Sequence, residues 1–474
     1  MKKYNQLLEH STKGKKAKMK KRIATVMVIN MLSMAVLPAA VFGASVPVAT
    51  ATTTNTDTTA ETTAATTAAT AKVPSPDSVN LNVKAAVLLE PTTGEVLLSV
   101  NADEALAPAS MTKMMTEYIV AEKVKQGELS WDTEVTVKKN AASSEGSRIF
   151  LAEGDTHTVE ELYIAMAVGS ANDATVALAE HVAGSEQEFV KLMNEEAKRM
   201  GLTKTHFINS TGLDRADMPE EFRPAEDQEI TMSAMDAAIL AKYIITDHPD
   251  FAKYTAIPSL KFRETDQEPM VNWNWMLESN KDITNFKQFA YEGLDGLKTG
   301  HTARAGNNFT GTAERDGMRL ISVVMGADSQ SSRFTETKKV LDYGFDNFEV
   351  KQVVAAKSVV PGAETAPVLK GKEKEAPVVT EQAVNFLVPK GTENPTPTFE
   401  TSFEGEGLTA PVEAGAKAGT ITYTYKIEGM ASEQVQTVNL VTSGPVEKAG
   451  WFSLMFRAIG DFFGDMFDSI KNLF

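Results

Sequence analysis

Ser110 and Lys113 stand three residues apart in "APASMTKMMTEY", residues 107–118, so on a helix they share one face a turn apart. A serine hydroxyl is a weak nucleophile until a neighbouring base removes its proton. A lysine amine can be that base once burial or a second cation lowers its pKa. If Pro108 marks the helix start, Ser110 sits at an N-terminus, where backbone N–H groups face a developing oxyanion. Nucleophile, base and oxyanion donors are the three requirements of acyl transfer. The pattern alone is common, and a surface serine beside a solvated lysine is its ordinary explanation. Ser110 is nevertheless the only serine followed three residues later by lysine.

Two further elements lie downstream in a fixed order. Ser170-Ala171-Asn172 follows at a gap of 60 residues, and Lys298-Thr299-Gly300 comes 128 residues after that. The S-x-N pattern recurs at Ser78-Val79-Asn80 and is weak by itself, whereas K-T-G occurs once. Met111, Met114, Met115 and Tyr118 read as packing. Asp173 reads as structural, and Trp273 and Trp275 alternate as a strand would, suited equally to a cleft wall or to burial.

Composition limits what else the chain can do. Its 474 residues suffice for two or three domains. Residues 1–22 carry nine Lys or Arg against Glu9 alone; the apolar run 23–41 follows, and small residues close it. That order predicts a secretory signal peptide over 1–44, placing the remainder outside the cytoplasm. The net charge of −16, more negative still without the basic head, argues against a nucleic-acid partner. With no cysteine there is neither a disulfide framework nor a thiol nucleophile, and the six histidines lack ligand spacing, so no metal or cofactor is expected.

The elements that must position these residues follow from pattern. Residues 45–78, rich in Ala and Thr up to 71, form a disordered spacer. Structure is expected from Val79, with strands in "KAAVLLE" and "EVLLSV", a helix from Pro108 to about Lys125, and a second helix opened by the capping-box pair Thr158 and Glu161 and ending at Gly169. Helical patterns continue to about 245. Strands return in "NNFTGTAE" and "MRLISVVMGA" around a turn of Arg315, Asp316 and Gly317, and the helix "RFTETKKVLDYGF" closes a domain spanning 79–348. The fold class is α+β: an antiparallel sheet covered by helices, then a small all-β domain over 349–442. Residues 443–474 comprise a linker and an amphipathic helix. Ser453, Arg457, Asp461, Gly464, Asp465, Asp468 and Lys471 share its polar face, and Phe452, Met455, Phe456, Ile459, Phe462, Phe463, Met466, Phe467 and Ile470 fill the other. Charges spaced in this way suit a helix lying in a membrane surface better than one crossing it.

The serine, S-x-N and K-T-G set in this order matches penicillin-interacting enzymes. Residues 79–440 resemble low-molecular-mass, class 5 type penicillin-binding proteins of the D-alanyl-D-alanine carboxypeptidase type, peptidase family S11. The resemblance rests on "PASMTKMMT", "SANDA", "FINSTGLD", "DGLKTGHT" and "SRF" at Arg333; the stretch "DRADMPEEFRPAEDQEITMSAMDAA" departs from it in length and acidity. The resemblance implies that Ser110 attacks the penultimate D-alanine carbonyl of a peptidoglycan stem peptide, with Lys113 as its base and Ser170 as proton relay to the leaving amine. It implies that Asn172 binds the substrate amide and holds Lys113, while Lys298 supplies a positive field and orients Ser170. The N–H groups of Ser110 and His301 form the oxyanion hole after Gly300, and Thr299 and Arg333 bind the terminal carboxylate. The implied partners are that peptide, β-lactams as covalent inhibitors, and the membrane surface at the extracytoplasmic face of a bacterial cell. A D,D-endopeptidase, a β-lactamase and a non-catalytic wall-binding or penicillin-sensing module remain alternatives. Ser-Ala-Asn in place of Ser-Asp-Asn and the additional β-domain count against the β-lactamase.

Overall fold

The computed structural model describes residues 73–225, 227–403, 405–430, 432–456 and 459. The expected signal peptide, the spacer up to residue 72 and the greater part of the C-terminal helix lie outside the described residues. Residues ahead of Val79 already pack on the domain: the Tyr343 hydroxyl donates to the carbonyl of Pro74, and Val73 lies against the core.

Five antiparallel strands form the central sheet: β1 (Ala85–Leu89), β2 (Val96–Val100), β3 (Leu294–Thr302), β4 (Gly306–Arg315) and β5 (Met318–Ala327), in the order β2-β1-β5-β4-β3. The first strand pairs with the last, Ala85 opposite Met325, so the intervening chain must leave the sheet and return. All five residues of β1 are buried, which requires cover on both faces. Alternation divides them: Val87, Ile321 and Val323 share one core with the helix Ala234–Asp247 and with Met114 and Met115 of α1 (Lys113–Lys125), while Leu88, Leu320 and Val324 meet the helix that follows β5. The β4–β5 turn is tighter than expected. Arg315 still pairs with Met318, leaving Asp316 (φ 50°) and Gly317 (φ 79°) as a two-residue turn that needs positive φ at both places.

The excursion from the sheet is a helical lobe. It contains α2 (Val159–Gly169), α3 (Asn172–Ala183), α4 (Glu186–Met200) and α5 (Ala234–Asp247). Thr158 and Glu161 cap α2 reciprocally. The acidic stretch after Asp214 folds as two short 3-10 turns, Arg215–Asp217 and Glu220–Phe222, which Arg223 ties by donating to the carbonyls of Ala216 and Met218. The last helix, α6 (Gln330–Asn347), covers the second face of the sheet.

Strand Phe348–Val354 pairs with Val384–Pro389 and opens the β-domain, whose main sheet has six strands. Pairing continues past Thr442, since Val446 bridges Val412 and the Ala449 amide donates to Lys370. Residues 451–456 begin a helix with Trp451, Phe452 and Phe456 exposed. Among the described residues no helix is long and apolar enough to cross a membrane.

Phe334 anchors α6 to the sheet. It is 1% exposed, and its ring centroid lies 5.2 Å from Trp275, 5.3 Å from Phe309 and 5.8 Å from Phe289. Truncating a buried aromatic costs about 3–5 kcal/mol. Phe334→Ala should therefore lower the denaturant midpoint followed by Trp275 fluorescence; an unchanged midpoint would mean that the other three rings hold the helix alone.

Candidate active site

Ser110 lies in a 3-10 turn, Ala109–Thr112, rather than in an α-helix that starts at Pro108; α1 begins at Lys113. The turn is held by its neighbours more than by its own sequence. Ala109 has φ 50°, a left-handed conformation that a non-glycine residue adopts only when its surroundings impose it. Asn308 on β4 imposes part of this: its side-chain amide donates to the carbonyls of Ala107 (2.9 Å) and Pro108 (3.3 Å) and accepts from the Gly326 amide. Gly212 imposes another part, because a Cβ there would stand 1.9 Å from the Ala109 carbonyl oxygen.

Lys113 is fully buried directly beneath Ser110. Its Nζ is 3.0 Å from Ser110 Oγ, 2.6 Å from Asn172 Oδ1 and 2.7 Å from the carbonyl oxygen of Thr211. Burial, reinforced by the nearby charge of Lys298, holds this amine well below the usual lysine range. A neutral amine has two hydrogens and one lone pair. The two carbonyl-type acceptors take the hydrogens, and the lone pair is left for the Ser110 hydroxyl.

The S-x-N motif occupies the break between two helices. Ser170 ends α2 in a left-handed conformation, φ 56°, and Asn172 opens α3. The Asn172 amide nitrogen of the side chain donates to Glu145 and its backbone N–H to Ser147, and Asp173 accepts from the backbone amides of Ile149 and Leu151. Asp173 thus fixes a loop, in keeping with a structural role.

The K-T-G motif lies on β3, an edge strand of the sheet. Lys298 is 2% exposed, and its ammonium donates to Ser170 Oγ at 2.9 Å. Burial pulls its pKa down to about 8. Gly300 is where the strand meets the Ser110 turn: a Cβ would lie 2.5 Å from the Pro108 carbonyl oxygen and 3.2 Å from the Ser110 nitrogen. The His301 ring donates from Nδ1 to the Gly306 carbonyl (2.9 Å), so the imidazole is engaged in its own hairpin.

Ser110, Ser170, Thr299, Gly300, His301 and Arg333 line one cleft of about 490 Å³, with Lys113, Asn172 and Lys298 beneath its floor. Arg333, in the first turn of α6, is 2% exposed; burial lowers its pKa to about 10, its nearest acceptor is the Gly300 carbonyl at 3.5 Å, and Nε has no partner. A buried guanidinium left part-satisfied beside a cleft is suited to a carboxylate. Ser147, Trp273 and Gln330 complete the wall. The two tryptophans are not on a strand. Asn272 accepts from the Asn274 amide and Asn274 from the Met276 amide, two successive side-chain turns that expose Trp273 and stack Trp275 on Phe286. Met111, Met114, Met115 and Tyr118 are all core. Among the described residues no cluster of His, Asp or Glu is arranged to hold a metal ion.

Residues 67–329 match the family model described as D-alanyl-D-alanine carboxypeptidase, and 348–448 match that of the penicillin-binding protein 5 C-terminal domain. The chain is 34% identical to D-alanyl-D-alanine carboxypeptidase DacF of Bacillus subtilis, over 80% of this chain and 89% of that one. Among solved structures it is similar to a peptidoglycan synthesis regulatory factor (PBP3) from Streptococcus pneumoniae, with TM-score 0.68, 31% identity, and coverage of 77% of this chain and all of that one. It is also similar to penicillin binding protein 5 from Haemophilus influenzae, with TM-score 0.59, 29% identity, and coverage of 78% and 98%.

The close approach at Gly300 yields a test. Gly300→Ala must push β3 away from the Ser110 turn, and a misplacement of about 1 Å costs about a hundredfold in rate. The second-order rate constant for acylation by a fluorescent penicillin should fall by about that factor while the thermal midpoint stays within a few degrees. Wild-type kinetics would show that the turn yields at no cost.

Proposed function

The chain belongs to the D-alanyl-D-alanine carboxypeptidase family, and from that premise we propose that Ser110 is the nucleophile through which it removes the terminal D-alanine of peptidoglycan stem peptides. The observation that carries this reading is the Lys113 amine, with an acceptor for each hydrogen and its third contact on Ser110 Oγ at 3.0 Å. The Ser110 O–H bond breaks as its proton passes to Lys113, and Oγ forms a bond to the carbonyl carbon of the penultimate D-alanine. The displaced electron pair gathers on the carbonyl oxygen, before the N–H groups of Ser110 and His301. Collapse of that intermediate breaks the C–N bond; Ser170, held by Lys298, relays a proton to the departing amine. Water then cleaves the acyl-enzyme by the reverse path. Asn172 binds the substrate amide, and Thr299 and Arg333 hold the terminal carboxylate. The buried cation at Arg333 selects substrates with a free carboxylate on the departing residue, as a terminal D-alanine has. A β-lactam enters by the same attack and stays as a slowly hydrolysed acyl adduct.

Two measurements test the assignment together. Wild-type protein should release D-alanine from a stem pentapeptide and label with a fluorescent penicillin. Ser110→Ala should do neither while remaining folded. Labelling that persists in that variant, or a wild-type protein that labels and never turns over peptide, would refute the reading.

Acting on peptidoglycan places the enzyme outside the cytoplasm, in association with the bacterial membrane. For the attachment we propose the C-terminal segment. Its described beginning exposes Trp451, Phe452 and Phe456, and the pattern out to residue 474 keeps charges on one face. That face sums to −1, so attraction to anionic lipid cannot be the main force, and apolar burial must be. Deleting residues 450–474 should release active enzyme from membranes, whereas high salt should leave the intact protein bound. Release of the intact protein by salt alone would overturn the hydrophobic anchor.

A further inference from the structure

Three cations are buried together at the cleft: Lys113, Lys298 and Arg333, each at most 2% exposed. Unpaired charge in such surroundings is strongly unfavourable. Lys113 avoids it by losing its proton, and Arg333 awaits a substrate carboxylate. Lys298 must remain protonated to hold Ser170, yet its hydrogen bonds, to Ser170 Oγ and the Thr299 carbonyl, are both to neutral groups.

One buried carboxyl has no part in the mechanism above. Glu117 follows Lys113 by one helical turn on the same face of α1 and is 1% exposed, and its Oε1 has no hydrogen-bond partner. Its charge acts on both lysines, and among the described residues it is the one carboxylate that acts on Lys298. Two other carboxylates act on Lys113, but their oxygens are taken. Asp173 on α3 accepts from the amides of Ile149, Leu151 and Ala174; Glu186 on α4 accepts from Asn140 and from Ser210. On α6, Arg333 opposes the Lys298 charge. On α2, Tyr163 donates to the Glu117 carbonyl at 3.4 Å and is held protonated by burial and by the Glu117 charge. Asp236, buried on α5, is engaged by Lys204 and Thr205 and acts on neither lysine.

We propose that Glu117 is a positioning residue whose carboxylate is the counter-charge of the buried lysine pair. It keeps Lys298 protonated while Lys113 is neutral, and it offsets the like-charge repulsion that arises when Lys113 takes the Ser110 proton. Glu117 itself exchanges no proton in that step: the hydroxyl proton moves to Nζ, and the freed electron pair makes the bond to carbon. The inference rests on Lys113 being the base of Ser110.

Removing a negative charge makes both ammonium groups easier to deprotonate. The alkaline limb of the pH profile for penicillin acylation, set at about 8 where Lys298 loses its proton, must then move toward acid. With Glu117→Gln in the full chain the expected displacement is about one unit or more. Glu117→Asp keeps the charge and should hold that limb within about half a unit of wild type. A Glu117→Gln profile that differs only in height would reduce the residue to packing, and a Glu117→Asp profile displaced as far as that of Glu117→Gln would exclude charge as the cause. Infrared titration of unmodified protein serves if the amide variant does not fold. Burial raises the Glu117 carboxyl to about 7, so its protonated-carboxyl band should be lost before the pH reaches the alkaline limb and should change in Glu117→Asp; a Glu117 band that persists above pH 8 would leave no counter-charge and overturn the proposal. The infrared readout needs no acylation. An error in the Ser110 assignment would appear separately, as labelling of Ser110→Ala.

Discussion

A lysine amine deprived of water is the constraint from which the rest of this site follows. To be a base at neutral pH, Lys113 must be buried, and once buried each of its hydrogens needs an acceptor. Asn172 can supply one only from the first position of α3, which requires α2 to stop at Ser170. The Thr211 carbonyl supplies the other, from a loop turned by Asn209, whose side chain accepts from the Thr211 and Gly212 amides. The helix break, the loop and the burial of α1 beneath the sheet are conditions set by one nitrogen atom.

The residues to which we assign the chemistry were legible because they stand in short motifs whose order admits few readings. All nine expected positions gather at one cleft or directly under it. The capping box at Thr158 and the turn residues Asp316 and Gly317 between β4 and β5 were legible for local reasons. Strand β3 was not: Leu297, Lys298 and Thr299 are consecutive and all buried, so the alternation that marks a half-exposed strand is missing. The Thr211 carbonyl left no trace, since a backbone acceptor can belong to any residue. Asn308 was hidden inside a strand-like run, although asparagine is disfavoured in strands and its presence there was a signal. The same signal, Asn272 and Asn274 in "VNWNWML", argued against a strand at the tryptophans.

The β-domain is joined to the catalytic region by packing as well as by the chain. Ile427 is buried in the core that includes Leu97, with Tyr425 and Met430 against it, and Ser432 donates to the buried carboxylate of Glu95. Glu95 opens the turn into β2, whose partner β1 pairs with β5. The two regions therefore share apolar surface with a polar contact beside it, on β2 at the sheet edge opposite β3 and its Lys298.

The turn that holds Ser110 is bounded largely by main-chain atoms. The carbonyls of Ala107 and Pro108 face Asn308, that of Ala109 faces Gly212, and Pro108 meets Gly300. Backbone atoms are the same in every sequence, so side chains around this turn other than Asn308 can drift without displacing Ser110. Evolutionary change is confined instead at a few points that tolerate no added atom, the two glycines first among them. A population under antibiotic selection consequently has little room to slow acylation by small steps here: a methyl group at Gly212 or Gly300 strikes the turn itself, so reaction with peptide and with drug would fall together.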